Sequence, residues 1–430
     1  MSLEASTATP HLDAEGQFSL ALEPAGSVEM PATNHSDTLL SNHLVNSHDL
    51  NAVPISESLW VSMSNGEQLH LRHFMPSKLD EADKPAERIF MLHGEAECGR
   101  IFYGNSGQGL AGYLTTLGYE VFVADLGGRG RSLGSEGRVS ELTTRQIITE
   151  AIPRLLRTIE LHNNDTDSQD SAHLASNKAT IWIGHGFGGV LLSAAWARLS
   201  STQRSASRMV FFGSRRRLQS SNRWARHFSK LFLHPIIAKL IDWHQAFPAK
   251  FLRLGSSDEN IDWYHCYAKW MNEEQWLDPE DNFDYGLALQ SHPLPPTLHF
   301  AGKADTVFAD VQDVRGFIAE LGPHDARLFL LGNIGETAQQ YDHLSMLIHP
   351  FAENDVFSFL NQWLLEQAGN TVRVEEDVLS SSIGNDTFAV AKPLSQTDEV
   401  EPPVEASYLE EDDRQNESAS SSEETIVLCA

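Results

Sequence analysis

Cysteine is scarce in this sequence, and long apolar runs are absent. The three cysteines among 430 residues, Cys98, Cys266 and Cys429, are too few, and odd in number, for a disulfide scaffold. No window approaches the ~18 apolar residues needed to cross a bilayer. The opening Met-Ser-Leu-Glu-Ala-Ser lacks the basic and apolar regions of a secretory signal. We therefore expect no transmembrane segment, a reducing compartment and a cytoplasmic location.

Basic residues are also few. The 31 Lys and Arg residues against 59 Asp and Glu residues give a net charge of -28, which argues against a nucleic-acid partner because binding phosphate groups needs a basic surface. The excess acid is concentrated at the ends: residues 1–50 hold seven acids and no Lys or Arg, and residues 371–430 hold fifteen acids and three bases. Because both ends are polar and lack apolar periodicity, we predict disorder at 1–52 and an acidic disordered tail at 370–430.

Between the ends, short apolar runs alternate with longer amphipathic ones. Asn65-Gly66 predicts a hairpin between strands at 59–63 and 69–74. Further strands are predicted at 88–93, 120–126, 180–183, 208–213, 297–301 and 327–331, and helices at 109–117, 145–161, 188–199, 310–321 and 355–367. The alternation predicts an α/β fold with a mostly parallel central sheet and helices on both faces. Its core is expected at 53–213 and 293–369, with a helical cap inserted at 214–292.

Three positions that follow predicted strands carry a recognisable pattern. Residues 181–189 read Ile-Trp-Ile-Gly-His-Gly-Phe-Gly-Gly, which has the frame of the Gly-x-Ser-x-Gly nucleophile elbow with Gly186 in place of the serine. Asp305 follows the strand at 297–301, and His343 lies between the last strand and the final helix. The order elbow, acid, histidine along the chain is the order of an α/β-hydrolase triad, in which the carboxylate orients and supports the imidazole.

With this pattern the sequence resembles the α/β-hydrolase superfamily, in particular its monoacylglycerol-lipase-like or serine-aminopeptidase-like branch with a helical cap. The resemblance covers most of 57–367 and includes the loop Asp-Leu-Gly-Gly-Arg-Gly-Arg-Ser at 125–132. It implies that Asp305 and His343 are the acid and base of a triad, that the backbone amides of Glu95 and Phe187 form the oxyanion hole, and that 214–292 is a substrate-selecting lid. Gly186 departs from the family at the nucleophile.

Glycine has no side chain that could attack a carbonyl, so we expect serine-hydrolase activity to be lost or greatly reduced. The expected protein is of esterase or lipase ancestry and retains a pocket for an acyl or other apolar small molecule. One alternative is an active hydrolase of carboxylic esters that uses water activated by His343 and Asp305, or a nucleophile not yet identified. Ser106, Ser193 and Cys98 are poor substitutes by their frame or position. A second alternative is a regulatory or scaffold protein that acts through its acidic tails.

No cofactor or metal is expected from the motifs. No His or Cys cluster has metal-ligand spacing, and His343 and His349 are six residues apart, which does not suit one helix face. The Gly-Gly-Arg-Gly run lacks a P-loop lysine and the dinucleotide-binding spacing.

The predicted cap has an unusual charge for this chain. Residues 214–255 contain nine Lys and Arg residues against one acid, and six aromatic residues are interleaved with them: Trp224, Phe228, Phe232, Trp243, Phe247 and Phe251. Such a stretch can make weak contact with an anionic membrane surface or bind acyl groups. In the interpretation that we favour, the aromatic residues pack the cap onto the sheet and the bases are solvated. The acidic tail could also screen these bases.

Overall fold

The computed structural model describes the folded body of the chain in eight stretches. These are residues 54–76, 87–104, 107–132, 139–162, 179–219, 234–252, 255–332 and 337–381, with side chains described to 369. The predicted disordered segment at 1–52 and residues 382–430 of the predicted tail lie outside the described residues.

An eight-stranded sheet forms the centre of the fold. In chain order its strands are β1 (Ile55–Ser62), β2 (Gln68–Met75), β3 (Arg88–Leu92), β4 (Glu120–Asp125), β5 (Ala179–His185), β6 (Arg208–Phe212), β9 (Thr297–Gly302) and β10 (Ala326–Leu331). Their order across the sheet is β1-β2-β4-β3-β5-β6-β9-β10. The β1 and β2 hairpin is antiparallel and β2 is antiparallel to β4, whereas all other neighbours are parallel. The mostly parallel sheet and the hairpin at Asn65-Gly66 confirm the sequence prediction.

Helices lie between the strands as the alternation predicts, and further helices lie in the cap. They are α1 (Leu110–Thr116), α2 (Thr144–Gln146), α3 (Ile152–Leu161), α4 (Phe187–Arg198), α5 (Pro235–His244), α6 (Ile261–Asn272), α7 (Tyr285–Ser291), α8 (Val311–Glu320), α9 (Ser345–Ile348) and α10 (Ser358–Ser381). Five-residue π-helical turns precede α3 and α10, at Ile147–Ala151 and Glu353–Phe357. Helix α10 extends past residue 369, the predicted end of the core.

The central strands of the sheet are buried on both faces. Along β3, Ile89 and Met91 belong to a core cluster that also contains Leu114 of α1 and Leu360 of α10. The alternate residues of the same strand, Phe90 and Leu92, belong to a second cluster with residues of α3, α4, α6 and α7. Since successive side chains of a strand point to opposite faces, a central strand covered on both sides must be apolar at every position. This explains the near-continuous apolar runs in the sequence.

The predicted cap, 214–292, contains α5, α6, α7 and a short antiparallel hairpin of β7 (Ala246–Phe247) and β8 (Glu259–Asn260). Its first arginines are not solvated, so that expectation is wrong for Arg215 and Arg216, which are 9% and 2% exposed. The cost of burying Arg216 is offset by its partners: its guanidinium donates to the carbonyl oxygens of Trp270 and Glu273 and pairs with Glu320.

The aromatic residues of the cap divide into two groups. Phe247 is buried, as expected for packing onto the body, whereas Trp243 and Phe251 are 78% and 85% exposed. Trp224, Phe228 and Phe232 lie outside the described residues. The predicted contact with an anionic membrane surface stays a prediction. Every helix in the described part of the chain is too short or too polar to span a bilayer.

Candidate functional site

The turn between β5 and α4 has the geometry of a nucleophile elbow. Gly186 occupies it with φ 51° and ψ -125°, a conformation that strains any residue with a side chain, and its N–H donates to the carbonyl oxygen of Phe212 at 2.9 Å. The flanking glycines are required by close approach. A Cβ at Gly184 would lie 2.6 Å from Gly189 Cα, and one at Gly188 would lie 2.5 Å from the carbonyl oxygens of Leu92 and His93.

Asp305 and His343 meet as the sequence pattern predicts. His343 Nδ1 donates to Asp305 Oδ2 at 2.8 Å, and both side chains are buried. The other oxygen, Asp305 Oδ1, accepts the backbone N–H groups of Phe308 and Ala309 at 3.0 and 2.9 Å. Asp305 therefore caps its own turn and orients the imidazole at the same time. A Cβ at residue 186 would lie 3.2 Å from His343 Nε2, so the elbow, the acid and the histidine converge.

The side chain of Glu95 occupies the space beside Gly186 where a nucleophile would stand. A Cβ at residue 186 would lie 2.8 Å from Glu95 Oε2. The same oxygen accepts the backbone N–H of Phe187 at 2.8 Å. An oxyanion-hole amide has to point at the oxygen that becomes negative during the reaction. Here the predicted Phe187 donor already holds a carboxylate, and Glu95 contributes its side chain to the site.

A second pair of buried polar residues supports this arrangement from behind. His185 Nδ1 lies 2.8 Å from Glu97 Oε2, and His185 Nε2 lies 2.9 Å from the carbonyl oxygen of His343. The rings of His185 and His343 have centroids 4.5 Å apart. Glu97 is 9% exposed. Burial raises the pKa of its carboxyl, but the charge and hydrogen bond of His185 outweigh burial and lower it overall. Glu97 therefore adds a negative charge close to His343.

The loop after β3, which carries Glu95, is fixed by a neutral histidine. His93 Nδ1 donates to the carbonyl oxygen of Gly94 at 2.8 Å, and His93 Nε2 accepts the N–H of Leu126 at 3.0 Å. Full burial, followed by the positive charge of Arg129, lowers the pKa of His93 to about 4. The ring therefore stays neutral near pH 7 and can donate at one nitrogen and accept at the other.

The imidazole of His343 is surrounded by negative charge. Burial alone would lower its pKa, but the charge and hydrogen bond of Asp305, together with the charges of Glu95 and Glu97, raise it to about 9. Burial also raises the pKa of Asp305, and the charge of His343 more than reverses this effect, so the carboxylate stays ionised. At pH 7 the pair is an imidazolium and a carboxylate. A general base must be unprotonated, so His343 is poorly suited to take a proton from water or a hydroxyl group at this pH.

This charge state predicts how stability depends on pH. The pKa of His343 in the folded protein, about 9, lies above the ordinary 6.5. Its contribution to the free energy of unfolding is therefore fully present below pH 6.5 and is lost as the pH rises through about 9. We expect the stability difference between the unmodified protein and His343→Gln to shrink by up to about 3 kcal/mol across this window. Urea unfolding of both proteins at a series of pH values measures it, and a difference independent of pH would contradict the assigned charge.

The alternative nucleophiles considered from the sequence have other places in the fold. Ser193 is buried on α4, where its hydroxyl donates to the carbonyl oxygen of Gly189 at 2.8 Å, as predicted for a packing residue. Cys98 is buried as a thiol and precedes the helical turn Gly99–Phe102. Ser106 lies outside the described residues.

Sequence reasoning missed the roles of three residues at this site: the carboxylate of Glu95, Glu97 and His185. His185 falls in a variable position of the elbow motif and Glu97 lies outside any motif, so spacing gives no hint of their pairing. The run Gly-Glu-Ala-Glu at 94–97 places two acids in a loop that normally presents amides to a developing negative charge. These two acids in a loop expected to stabilise negative charge are the sequence signal that could have indicated an altered site.

Known proteins resemble this chain in structure but not in sequence. No protein-family model matches it, and no curated protein is similar to it in sequence. Solved structures similar to it include an esterase from Pyrococcus furiosus, with TM-score 0.46, 13% identity and coverage of 76% of this chain and 96% of the esterase. A soluble variant of monoglyceride lipase from Saccharomyces cerevisiae has TM-score 0.49 and 17% identity, with coverage of 75% and 98%. A carboxylesterase from Bacillus subtilis has TM-score 0.41 and 17% identity, with coverage of 74% and 93%.

The mostly parallel sheet, the strained turn after β5 and the order Gly186, Asp305, His343 along the sequence are those of an α/β-hydrolase fold. The predicted fold class is confirmed.

Proposed function

We propose that this α/β-hydrolase-fold protein has lost serine-hydrolase chemistry and that its former catalytic centre is now a stabilising charge cluster. The observation that carries the proposal is the position of the Glu95 carboxylate. Its Oε2 lies 2.8 Å from where a Cβ at residue 186 would stand and accepts the Phe187 N–H at 2.8 Å. The nucleophile is absent, and its neighbouring oxyanion donor is already in use.

The charge on His343 supports the same conclusion. Its pKa of about 9 leaves it protonated at pH 7. The alternative of an active hydrolase that uses water activated by His343 and Asp305 needs the neutral ring as a base. With about one molecule in a hundred in that form at pH 7, such a reaction would be slow and would speed up as the pH rises toward 9.

We propose an acyl or otherwise apolar small molecule as the ligand that the site retains. Phe187 packs against rings of the cap, with centroid distances of 5.3 Å to Tyr267, 5.9 Å to Trp270 and 6.0 Å to Trp263. These rings would form one wall for such a molecule. Asp305 and His343 are themselves buried, which strengthens the ion pair between them.

The test is turnover of short-chain and medium-chain carboxylic esters by the purified full chain from pH 6 to pH 10. We expect the unmodified protein to hydrolyse these esters no faster than the uncatalysed reaction, and His343→Gln to leave the rate unchanged. Turnover that His343→Gln abolishes and that rises with pH would instead support the activated-water alternative. Turnover lost in Glu95→Gln, which can still accept the Phe187 N–H, would identify Glu95 as a catalytic carboxylate, either a nucleophile or a general base. Either result would overturn the proposal.

A further inference from the structure

A cluster of one carboxylate and two histidines lies at the other end of the sheet. Glu57 of β1 and His73 of β2 are directly paired in the hairpin, and His162 follows the end of α3. His73 is paired with Phe122 near the beginning of β4, whereas Gly186 follows the end of β5. The cluster is therefore separate from the elbow.

The nitrogen and oxygen atoms of this cluster converge. His73 Nδ1 lies 2.9 Å from Glu57 Oε1, and His162 Nε2 lies 3.1 Å from the same oxygen. One ligand atom from each of the three residues lies within 4.8 Å of those of the others. Ligand atoms at ordinary zinc distances in a tetrahedral site are about 3.3 Å apart. Small side-chain rotations would place all three atoms at about 2.0–2.2 Å from one zinc ion between them.

His162 contributes a buried nitrogen that faces a carboxylate without a well-aligned hydrogen bond. His162 Nε2 is buried and has no well-aligned hydrogen bond, although it faces Glu57 Oε1. A buried polar atom without a well-aligned hydrogen bond is costly, and such an atom beside a carboxylate and a second imidazole is suited to a cation between them.

The far side of His73 is held by another carboxylate. His73 Nε2 lies 2.9 Å from Glu120 Oε1, a contact that is not aligned as a hydrogen bond. Glu120 is fixed in turn by Arg88, whose Nε donates to Glu120 Oε2 at 2.6 Å. The His73 ring also stacks on Phe122, with centroids 4.3 Å apart. A carboxylate behind a histidine ligand orients the ring and increases its basicity in metal sites.

We propose that Glu57, His73 and His162 bind a Zn²⁺ ion. Two imidazoles and one carboxylate are a ligand set that suits zinc, and a water molecule would complete four-coordination. The side chain of Glu57 is 44% exposed, which gives the ion a path from solvent. Bound there, zinc would tie the edge hairpin to the end of α3.

The experiment is calorimetric titration of the full chain, first dialysed against a chelator, with ZnCl₂. The test variants are Glu57→Ala, at an exposed position, and His162→Ala. The matched control is His265→Ala, which removes another histidine paired with a carboxylate, Asp242, at 2.8 Å on the surface of the cap. Circular dichroism of each variant without metal establishes that it is folded, and Co²⁺ absorption reports whether nitrogen ligands surround the metal.

We expect the unmodified protein and His265→Ala to bind one more equivalent of zinc than either test variant, or to bind it at least about 100-fold more tightly. Zinc should also raise the midpoint of thermal unfolding of the unmodified protein more than that of Glu57→Ala. Histidines other than His162 and His265 are present in all four proteins, so their contribution to zinc binding cancels in this comparison. Equal stoichiometry and affinity in all four would overturn the proposal and leave Glu57 and His73 as an ion pair.

Discussion

Replacing Gly186 by serine and Glu95 by alanine in the same chain is expected to produce ester hydrolysis that the unmodified protein lacks. The elbow already has the backbone conformation in which a serine nucleophile is held, and His343 Nε2 would lie 3.2 Å from the new Cβ. Removing the Glu95 carboxylate frees the Phe187 N–H for an oxyanion. It also removes one negative charge that raises the pKa of His343. We expect the rate to exceed that of Glu95→Ala alone by at least about 10³-fold.

The single variants separate the two contributions. In Gly186→Ser alone, the new Cβ would lie 2.8 Å from Glu95 Oε2, so the carboxylate must move before the serine can act, and the gain should be much smaller. Adding His343→Ala to the double variant should abolish the new activity. The measurement is the initial rate with a short-chain 4-nitrophenyl ester for each protein. A folded double variant no faster than Glu95→Ala would refute the convergence of residues 186, 305 and 343 on a usable site.

Replacing Gly188 by alanine is expected to destabilise the fold strongly. The added Cβ would lie 2.5 Å from the carbonyl oxygens of Leu92 and His93, which belong to a central strand and the loop after it. Backbone in the centre of a sheet cannot move aside as a flexible side chain can, so we expect a loss of about 3 kcal/mol or more in the free energy of unfolding.

The matched control for this change is Gly286→Ala. Gly286 lies in α7, and its new Cβ would make only an ordinary contact, 3.5 Å from Asp284 Oδ1. Alanine in a helix should be neutral there or stabilising by roughly 0.5–1 kcal/mol. Chemical denaturation of both variants measures the difference. Equal stability of the two variants would show that the turn after β5 packs less closely against β3 than described.

Local sequence patterns predict most of the fold. The hairpin at Asn65-Gly66 and the apolar strands are predictable because turn chemistry and burial on two faces leave a signal within a few residues. The extension of α10 to Ser381 could not be predicted. The polar, acidic composition after residue 370 indicates disorder, whereas residues 371–381 continue the helix. The burial of Arg216 cannot be predicted from local sequence either. Its partners, the carbonyl oxygens of Trp270 and Glu273, lie at the C-terminal end of α6, more than 50 residues further along the chain.

The site shows the same division between local and long-range information. Gly186, Asp305 and His343 could be identified because each follows a strand and because their order along the chain is informative. The Glu95 side chain could not be placed from sequence, since the same residue can offer either its amide or its carboxylate to the turn. The pairing of Glu57 with His73 depends on hairpin register, and the approach of His162 depends on how α3 packs. Neither is encoded in ligand spacing.

The most direct test of the lost nucleophile is intact-mass analysis after treatment with a serine-directed fluorophosphonate. We predict no adduct on the unmodified protein. On the variant with Gly186→Ser and Glu95→Ala we predict one adduct per chain, which peptide mapping should locate at the introduced serine. A stoichiometric adduct on the unmodified protein, prevented by His343→Gln, would show that a nucleophile still operates beside His343 and would contradict this account.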